Sequence, residues 1–297
     1  MKILNFGSLN VDYIYEVEHF VRPGETISSK SLTLATGGKG LNQSIALCRA
    51  GAEVWHAGAI GQADEAMLKD FLRDSGVHTE FIQLLAEPSG HAMIQVDDQG
   101  SNCIVLYGGA NQKIHRDFVD KVLENFGAED ILLLQNEISS IDYIMEKARE
   151  RGLRIYLNPS PANELLNKYP VNHVDTLILN EVEGAQLTGQ TAPEQILAAL
   201  LEKYSGIKVV LTLGEQGAIY TDGVLRENHG IFPAKVVDTT AAGDTFTGYF
   251  IAATAKGIDI KAALKYASAA AALSVAKLGA AASIPTLEEV ERFLEGK

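Results

Sequence analysis

Residues Asp238 to Phe246 read DTTAAGDTF and run straight into an apolar helical pattern, Phe246, Tyr249, Phe250 and Ala253. Small side chains let a backbone approach a ligand closely, and the first N–H groups of a helix are unpaired and carry partial positive charge. The stretch therefore predicts an anion site built by Ala241, Ala242 and Gly243. Asp244 falls in the first helical turn, where it can accept a proton from a hydroxyl lying beside a bound phosphate. On its own, an acidic residue there also simply complements the helix dipole.

A second glycine-rich stretch, Gly37-Gly38-Lys39-Gly40-Leu41-Asn42, lies about 200 residues earlier. It does not fit a Walker A loop, because Gly40 rather than Ser or Thr follows Lys39. Nor do Gly7, Gly58 and Gly61 make the G-x-G-x-x-G turn that a dinucleotide needs. Read alone, the stretch is a turn from strand into helix.

Between and around these two points the chain alternates strand and helix. Ile3 to Phe6, Val54 to Ala57, Glu80 to Leu84, Ile131 to Leu134, Arg154 to Leu157, Thr176 to Leu179 and Val209 to Leu213 read as strands, with a hairpin over Ala218 to Leu225. Helical patterns cover Gly40 to Ala50, Glu65 to Ser75, Asp117 to Phe126, Ile141 to Arg151, Gly243 to Lys256, Ile260 to Lys277 and Leu287 to Leu294. The order predicts an α/β fold, a central mostly parallel sheet flanked by helices on both faces. Two stretches keep a different rhythm: β-favouring residues from Val11 to Leu34, broken by Arg22-Pro23-Gly24, and Ala92 to Tyr107 around the turn at Asp97 to Gly100. They predict a small β-sheet lid, formed by about 11–36 and 91–108, on a single domain spanning 1–297. In such folds ligands bind beyond the carboxyl ends of the strands.

Composition sets outer limits. With 297 residues, 46% of them hydrophobic, the chain can bury a large core. Its net charge of −13 and isoelectric point near 5.0 argue against nucleic acid as a partner. Cys48 and Cys103 lack metal-ligand spacing and read as small buried hydrophobes in a reducing compartment, with the cytoplasm as the expected location. Met1 to Phe6 has no signal-peptide core, and the alanine-rich Ala262 to Ala282, interrupted by Lys265, Lys277 and Gly279, reads as a buried helix rather than a membrane span.

Further polar residues stand where the strands end. Asn10 and Asp12 follow the first strand, and Glu137 follows Ile131 to Leu134; by default these are an Asx turn and a first-turn acid. Asn180-Glu181-Val182-Glu183 makes a good helix start, with Asn180 as N-cap and Glu183 three residues on. Thr212-Leu213-Gly214 closes another strand.

Taken together, GGKGLNQ and DTTAAGDTF, in this order with N-x-x-E and T-x-G between them, resemble the two signatures of the PfkB/ribokinase superfamily of carbohydrate kinases. The resemblance extends from Asn5 to Pro285. It implies that Asp244 is the catalytic base, with Ala241, Ala242 and Gly243 as the anion hole. Asn10, Asp12, Gly38, Lys39, Asn42, Glu137 and Asp244 would line the sugar pocket. Asn180, Thr212, Gly214, Gly243 and Ser268 would face ATP, and Glu183 would act on Mg²⁺ through water. Asp238, Thr240, Ser274, Lys277, Gly279 and Ser283 match the positions of a monovalent-cation site, formed largely by backbone carbonyls, at which K⁺ would order the anion-hole loop. A pocket holding Asp12, Glu137 and Asp244, with Lys39 as its one obvious cation, suits a neutral polyol and repels a sugar already carrying phosphate.

The chain departs from the family in places. Ala63 and Ala66 stand where an Asp and a Gly are common, Ser268 replaces an Asn near adenine, and His91 and Met93 occupy lid positions that commonly hold smaller residues.

The expectation is an ATP-dependent transfer to the primary hydroxyl of D-ribose, by direct in-line attack, from a homodimer joined through its lids. A kinase for fructose, deoxyribose or a nucleoside is the nearer alternative, since Tyr13, Tyr15 and Tyr107 could stack on a base. A non-catalytic sugar-binding regulator is the more distant one.

Overall fold

The computed structural model describes residues 1–296. Its strands, in chain order, are β1 (Ile3–Phe6), β2 (Asn10–Glu16), β3 (Ser31–Gly37), β4 (Val54–Gly61), β5 (His78–Leu85), β6 (Gly90–Val96) and β7 (Asn102–Tyr107). They continue with β8 (Ile131–Gln135), β9 (Arg154–Asn158), β10 (Thr176–Asn180), β11 (Lys208–Thr212), β12 (Ala218–Thr221) and β13 (Arg226–His229). The helices are α1 (Lys39–Arg49), α2 (Phe71–Asp74), α3 (Arg116–Leu123), α4 (Ile141–Glu150), α5 (Glu181–Thr188) and α6 (Pro193–Lys203). Three more, α7 (Ala242–Ala255), α8 (Ile260–Val275) and α9 (Leu287–Glu295), end the chain.

Nine strands form one sheet in the order β13-β12-β11-β10-β9-β8-β1-β4-β5. All neighbours from β11 through to β5 run parallel, and only β12 and β13 are antiparallel additions. The central strands read as unbroken apolar runs because both faces are covered. In β8, Ile131 and Leu133 point into one core with α1, α7 and α8, while Leu132 and Leu134 point into the other with α3, α4 and α6. The sheet order reverses direction at β1, and the carboxyl ends of β1, β8, β9, β10 and β11 open onto one edge. That edge is where ligands are expected.

The second sheet has the order β3-β2-β6-β7. Its two halves, distant in sequence, meet through the parallel pairing of β2 with β6, from Asn10 opposite Gly90 to Glu16 opposite Val96. Its strands β2 and β6 begin at Asn10 and Gly90, one and two residues earlier than the stretches read from Val11 and Ala92, and Thr26 and Ile27 lie outside them. Residues Glu65 to Ser75 are not one α-helix: Ala66–Asp70 is a π-turn leading into the short α2. Helix α6 follows Pro193 at its first position and packs Ile196, Leu197 and Leu200 into the core, an element the sequence reading left unassigned. Cys103 is exposed on β7 and so is not a buried hydrophobe, because β7 is the outer strand of the small sheet, whereas Cys48 is half-buried against the core. Among the described residues, no helix is long and apolar enough to cross a membrane.

Candidate active site

Helix α7 starts at the edge of the sheet with Ala241 in the left-handed region, φ 61°. A residue with a Cβ pays roughly 1 kcal/mol to sit there, and such strain collects at functional turns. The consequence is a sharp entry that aims the start of α7 at the cleft. The Ala242 N–H meets the Thr239 carbonyl at 3.2 Å. Among the described residues, the N–H groups of Ala241, Gly243 and Asp244 meet no such carbonyl.

Asp244 is buried in the first turn of α7. Asn42 Nδ2 donates to its Oδ2 at 3.0 Å and Gln43 Nε2 to its Oδ1 at 2.8 Å, both from α1. The two helices approach closely because Gly248, one turn beyond Asp244, lies against Ala46 and Leu47, one turn beyond Asn42 and Gln43. Asn42 Oδ1 is buried and has no hydrogen-bond partner among the described residues. It is an acceptor in want of a donor.

Helix α1 begins at Gly38, whose φ of 95° is open to glycine and costly for other residues. A side chain at Gly37 would collide with the Asp12 carboxylate. The glycine pair therefore lets β3 pass over Asp12 and turn into α1. Asp12 sits on β2 rather than in an Asx turn, and Asn10, at the head of the same strand, accepts from Asn111 Nδ2 at 2.8 Å. Glu137 lies in the turn between β8 and α4, not in a first helical turn, and is held by the Ser8 hydroxyl and by the Lys39 N–H at 3.0 Å.

These acids sit in a strained electrostatic setting. Burial, reinforced by the Glu137 carboxylate, pushes the Asp12 carboxyl up to about 7. Burial also raises Glu137, with Lys39 and the hydrogen bonds from Ser8 and Lys39 pulling the other way. Burial opposes the charge on Lys39, but the carboxylates of Asp244, Glu137 and Glu183 outweigh it and hold the ammonium above its usual range. One cation thus serves three acids.

Two cavities meet this cluster. One, of about 240 Å³, is lined by Asn10, Glu137, Leu106 of the small sheet, and the amides of Asn111, Gln112 and Asn136. The other, of about 230 Å³, is lined by Lys39, Asn180, Glu183, Thr212, Ala241, Gly243 and Asp244. Asn158, Ser160, Thr239 and Thr247 also line the second cavity. Sequence reasoning missed these, although Asn158 ends β9 and the strand-end rule pointed there. Gly214 and Ser268 stand apart from that lining: Gly214 opens a short turn after β11, and Ser268 is buried along α8.

Asn180 and Glu183 form a reciprocal cap on α5, with Asn180 Oδ1 accepting from the Glu183 N–H at 2.9 Å and Glu183 Oε2 from the Asn180 N–H at 3.0 Å. The cap holds the Glu183 carboxylate on the cleft wall. That suits an ion that keeps its water shell and takes few protein ligands. Among the described residues, no group of three or more His, Cys, Asp or Glu is placed to enclose a metal.

Behind the turn that leads into α7, Asp238 ties two remote loops together. Its Oδ1 accepts from the Thr240 N–H and its Oδ2 from the Gly279 N–H, each at 2.9 Å. Although partial burial works against it, these hydrogen bonds hold the carboxyl below its usual range. Ser274 and Ser283 are buried and share a hydrogen bond of 2.8 Å, and Thr245 of α7 reaches Ser274 at 3.4 Å. The Lys277 ammonium turns away to Glu289. The residues expected at a cation site are thus neighbours, held together by these hydrogen bonds.

His91 is packed between the rings of Tyr13 and Tyr107, at 5.9 and 5.0 Å between centroids. It pairs in register with Val11, one residue out of step with Asp12, so it belongs to the sheet face opposite Asp12.

Residues 1–287 match the family described as pfkB family carbohydrate kinase. The chain is 37% identical to a ribokinase of Haemophilus influenzae over 97% of both chains. Among solved structures, it is similar to the ribokinase of Cryptococcus neoformans var. grubii serotype A in complex with ADP, with a TM-score of 0.85, 34% identity, and 98% and 99% of the two chains covered. It is also similar to the Arabidopsis thaliana ribokinase complexed with ribose and ATP, with a TM-score of 0.84, 33% identity, and 99% and 98% of the two chains covered.

Proposed function

The chain belongs to the pfkB family of carbohydrate kinases, and on that footing we propose that it transfers the γ-phosphoryl group of MgATP to the primary hydroxyl of D-ribose, giving ribose 5-phosphate. The observation that carries the reading is the position of Asp244: a buried carboxylate at the start of α7, lining the cleft that also holds Lys39, Asn180 and Thr212. The similarity to a ribokinase that binds ribose and ATP supports the choice of both substrates.

In this reading the sugar lies between Asn10, Asp12, Gly38, Lys39, Asn42 and Glu137. The unpartnered Asn42 Oδ1 supports it, since a sugar hydroxyl would supply the missing donor. Asp244 takes the proton of the primary hydroxyl, that oxygen attacks the γ-phosphorus, and ADP leaves on the opposite side. The N–H groups of Ala241, Gly243 and Asp244 and the Lys39 ammonium stabilise the charge on the transferring group. Asn180, Thr212, Gly214 and Ser268 belong to the nucleotide side in this reading, an assignment that rests on the family resemblance. Magnesium, when bound, neutralises phosphate charge, and Glu183 would hold it through water. Potassium fits Asp238, with the loop carbonyls around Thr240, Lys277 and Gly279 and the buried Ser274 and Ser283, and would steady the turn that leads into Ala241.

The small sheet acts as a lid, and two lids pack together in a homodimer. Leu34, Ile104, Val105 and Tyr107 are each more than half exposed, an apolar edge that calls for cover. ATP use and two unpaired cysteines fit the cytoplasm.

The test is ADP release from MgATP with ribose, deoxyribose, fructose, adenosine and fructose 6-phosphate, each in K⁺ and in Na⁺ alone. Fastest turnover with ribose, raised by K⁺, is the expected result. Fastest turnover with another acceptor would move the substrate and keep the chemistry, whereas none with any acceptor would overturn the kinase reading.

A further inference from the structure

A chain of buried amides stands behind Asp244, and its direction can be worked out from the far end. His56 is fully buried on β4, with Nε2 3.2 Å from the Gly7 carbonyl and Nδ1 2.8 Å from the Ser44 hydroxyl. A carbonyl only accepts, so Nε2 carries the hydrogen and Nδ1 must accept from Ser44. Burial, against the weaker pull of the Gly7 hydrogen bond, lowers the ring to about 4, which keeps it neutral at pH 7.

With its hydrogen spent on His56, the Ser44 oxygen accepts from Asn5 Nδ2 at 2.8 Å, and the second hydrogen of that amide goes to the Gly40 carbonyl at 2.7 Å. Asn5 Oδ1 is then the acceptor for Gln135 Nε2 at 2.9 Å. The other hydrogen of Gln135 Nε2 reaches Gln43 Oε1 at 2.7 Å. Gln43 is left with only one orientation, its N–H toward Asp244 Oδ1 at 2.8 Å. Turned over, it would set a carbonyl against a carboxylate, the costly arrangement in a buried site.

We propose that Gln43 is a positioning residue for phosphoryl transfer, and that Gln135 and Asn5 hold its amide in the sense that clamps Asp244. The proposal rests on Asp244 being the base. Each carboxylate oxygen then takes one amide donor, from Gln43 and from Asn42, and keeps its remaining lone pairs for the incoming hydroxyl. Gln43 and Gln135 are almost wholly buried, and the Gln43 amide is spent on Asp244, on Asn158 Oδ1 at 3.4 Å and on Gln135, so both act through Asp244 and not on substrate.

The experiment compares Gln43→Leu, Gln43→Glu, Gln135→Met and Asp244→Asn in the full-length protein, by kcat, sugar KM, thermal melting and the pH profile of kcat. Gln43→Leu is expected to lower kcat by roughly 10- to 100-fold with sugar KM changed less than about threefold, the split expected when only transition-state geometry suffers. Gln135→Met frees the Gln43 amide to turn and should give a smaller fall, on the order of threefold to tenfold.

Gln43→Glu is isosteric and keeps the test alive if the leucine variant does not fold. Two carboxylates then share one site, so the acid limb of the kcat profile should move up by about one pH unit or more, with activity recovering as pH rises. Lys39 from α1, Glu137 from the turn after β8 and Glu183 from α5 face the same cluster in every variant, so they cancel in the comparison. A Gln43→Leu protein that melts normally with kcat within twofold of the parent would overturn the positioning role, as would an unmoved acid limb in Gln43→Glu. Turnover retained by Asp244→Asn would instead overturn the base assignment beneath it.

Discussion

Asn42 Nδ2 lies 3.0 Å from Asp244 Oδ2, although 202 positions separate the two residues in the chain. The contact joins the two glycine-rich stretches into one site, because α1 and α7 run side by side from it. Replacing Asp244 by Asn keeps the shape and removes the proposed base. The expected outcome is a kcat lower by ~10² to 10⁴ with sugar and nucleotide binding within a few-fold, read by steady-state kinetics beside calorimetric titration.

Gly248 makes that alignment possible. Alanine is the better helix former by about 1 kcal/mol. Yet a Cβ at position 248 would press on the Ala46 Cβ and lie 2.8 Å from the Leu47 nitrogen, part of a backbone that cannot swing aside. Overpacking of this kind costs about 1–3 kcal/mol and should exceed the propensity gain. Gly248→Ala is expected to be less stable in urea denaturation and to lose kcat as α1 is pushed from α7; equal stability with full kcat would count against the packing argument.

Asp12 sets a pH dependence of unusual sign. Its carboxyl is raised to about 7 in the folded protein, by burial and then by Glu137, so the folded state binds more protons than the unfolded one at intermediate pH. Its contribution to stability is therefore fullest below the ordinary carboxylate value of about 4 and is lost as pH climbs toward about 7. Asp12→Asn should stabilise the sugar-free protein at pH 8 by on the order of 1–2 kcal/mol after allowing for solvent at the site, seen as a higher melting temperature, and by little near pH 4. The same change should weaken sugar binding, because an ionised acceptor is lost. A melting-temperature difference that does not vary with pH would contradict this account.

Lys39 is the ammonium to which Asp244, Glu137 and Glu183 all couple. Lys39→Met leaves those carboxylates without a counter-charge and the transferring phosphoryl group without a donor. We expect kcat/KM for MgATP to fall by about 10²-fold, in line with removal of one donor to developing charge. Initial-rate titration of MgATP at saturating sugar measures it, and a fall confined to sugar KM would show that Lys39 serves binding alone.

The lid edge gives a prediction in solution. Ile104 and Val105 on β7 are 53% and 64% exposed. Ile104→Asp together with Val105→Asp should convert a dimer into a monomer by light scattering at micromolar concentration. A parent protein that is already a monomer there would remove the lid-to-lid assembly from the proposal.

Much of the fold was legible because local chemistry and final structure agree. Period-2 and period-3.6 patterns, with glycine-marked turns, placed most strands and helices within a few residues, from Ile3–Phe6 to Leu287–Glu295. The two exposed β stretches announced a separate small sheet. DTTAAGDTF carried both the sharp helix start and the acid buried in its first turn, since small residues and carboxylate are contiguous there. Residues whose importance is local could be read locally.

What the sequence left open depends on contacts between distant segments. Nothing near Asn10 announces its pairing with Gly90, which builds the small sheet from two halves. Asp12 and Glu137 are ordinary acids in the chain and become perturbed only when burial brings them together, because desolvation is a property of the surroundings and not of the residue. Gln43 could have been any polar residue of α1 until Gln135 from β8 and Asn5 from β1 closed behind it. Composition and spacing determined the fold class and the acid at its centre, while tertiary packing decided how that acid is held, since hydrogen-bond direction and dielectric exist only once the chain has folded.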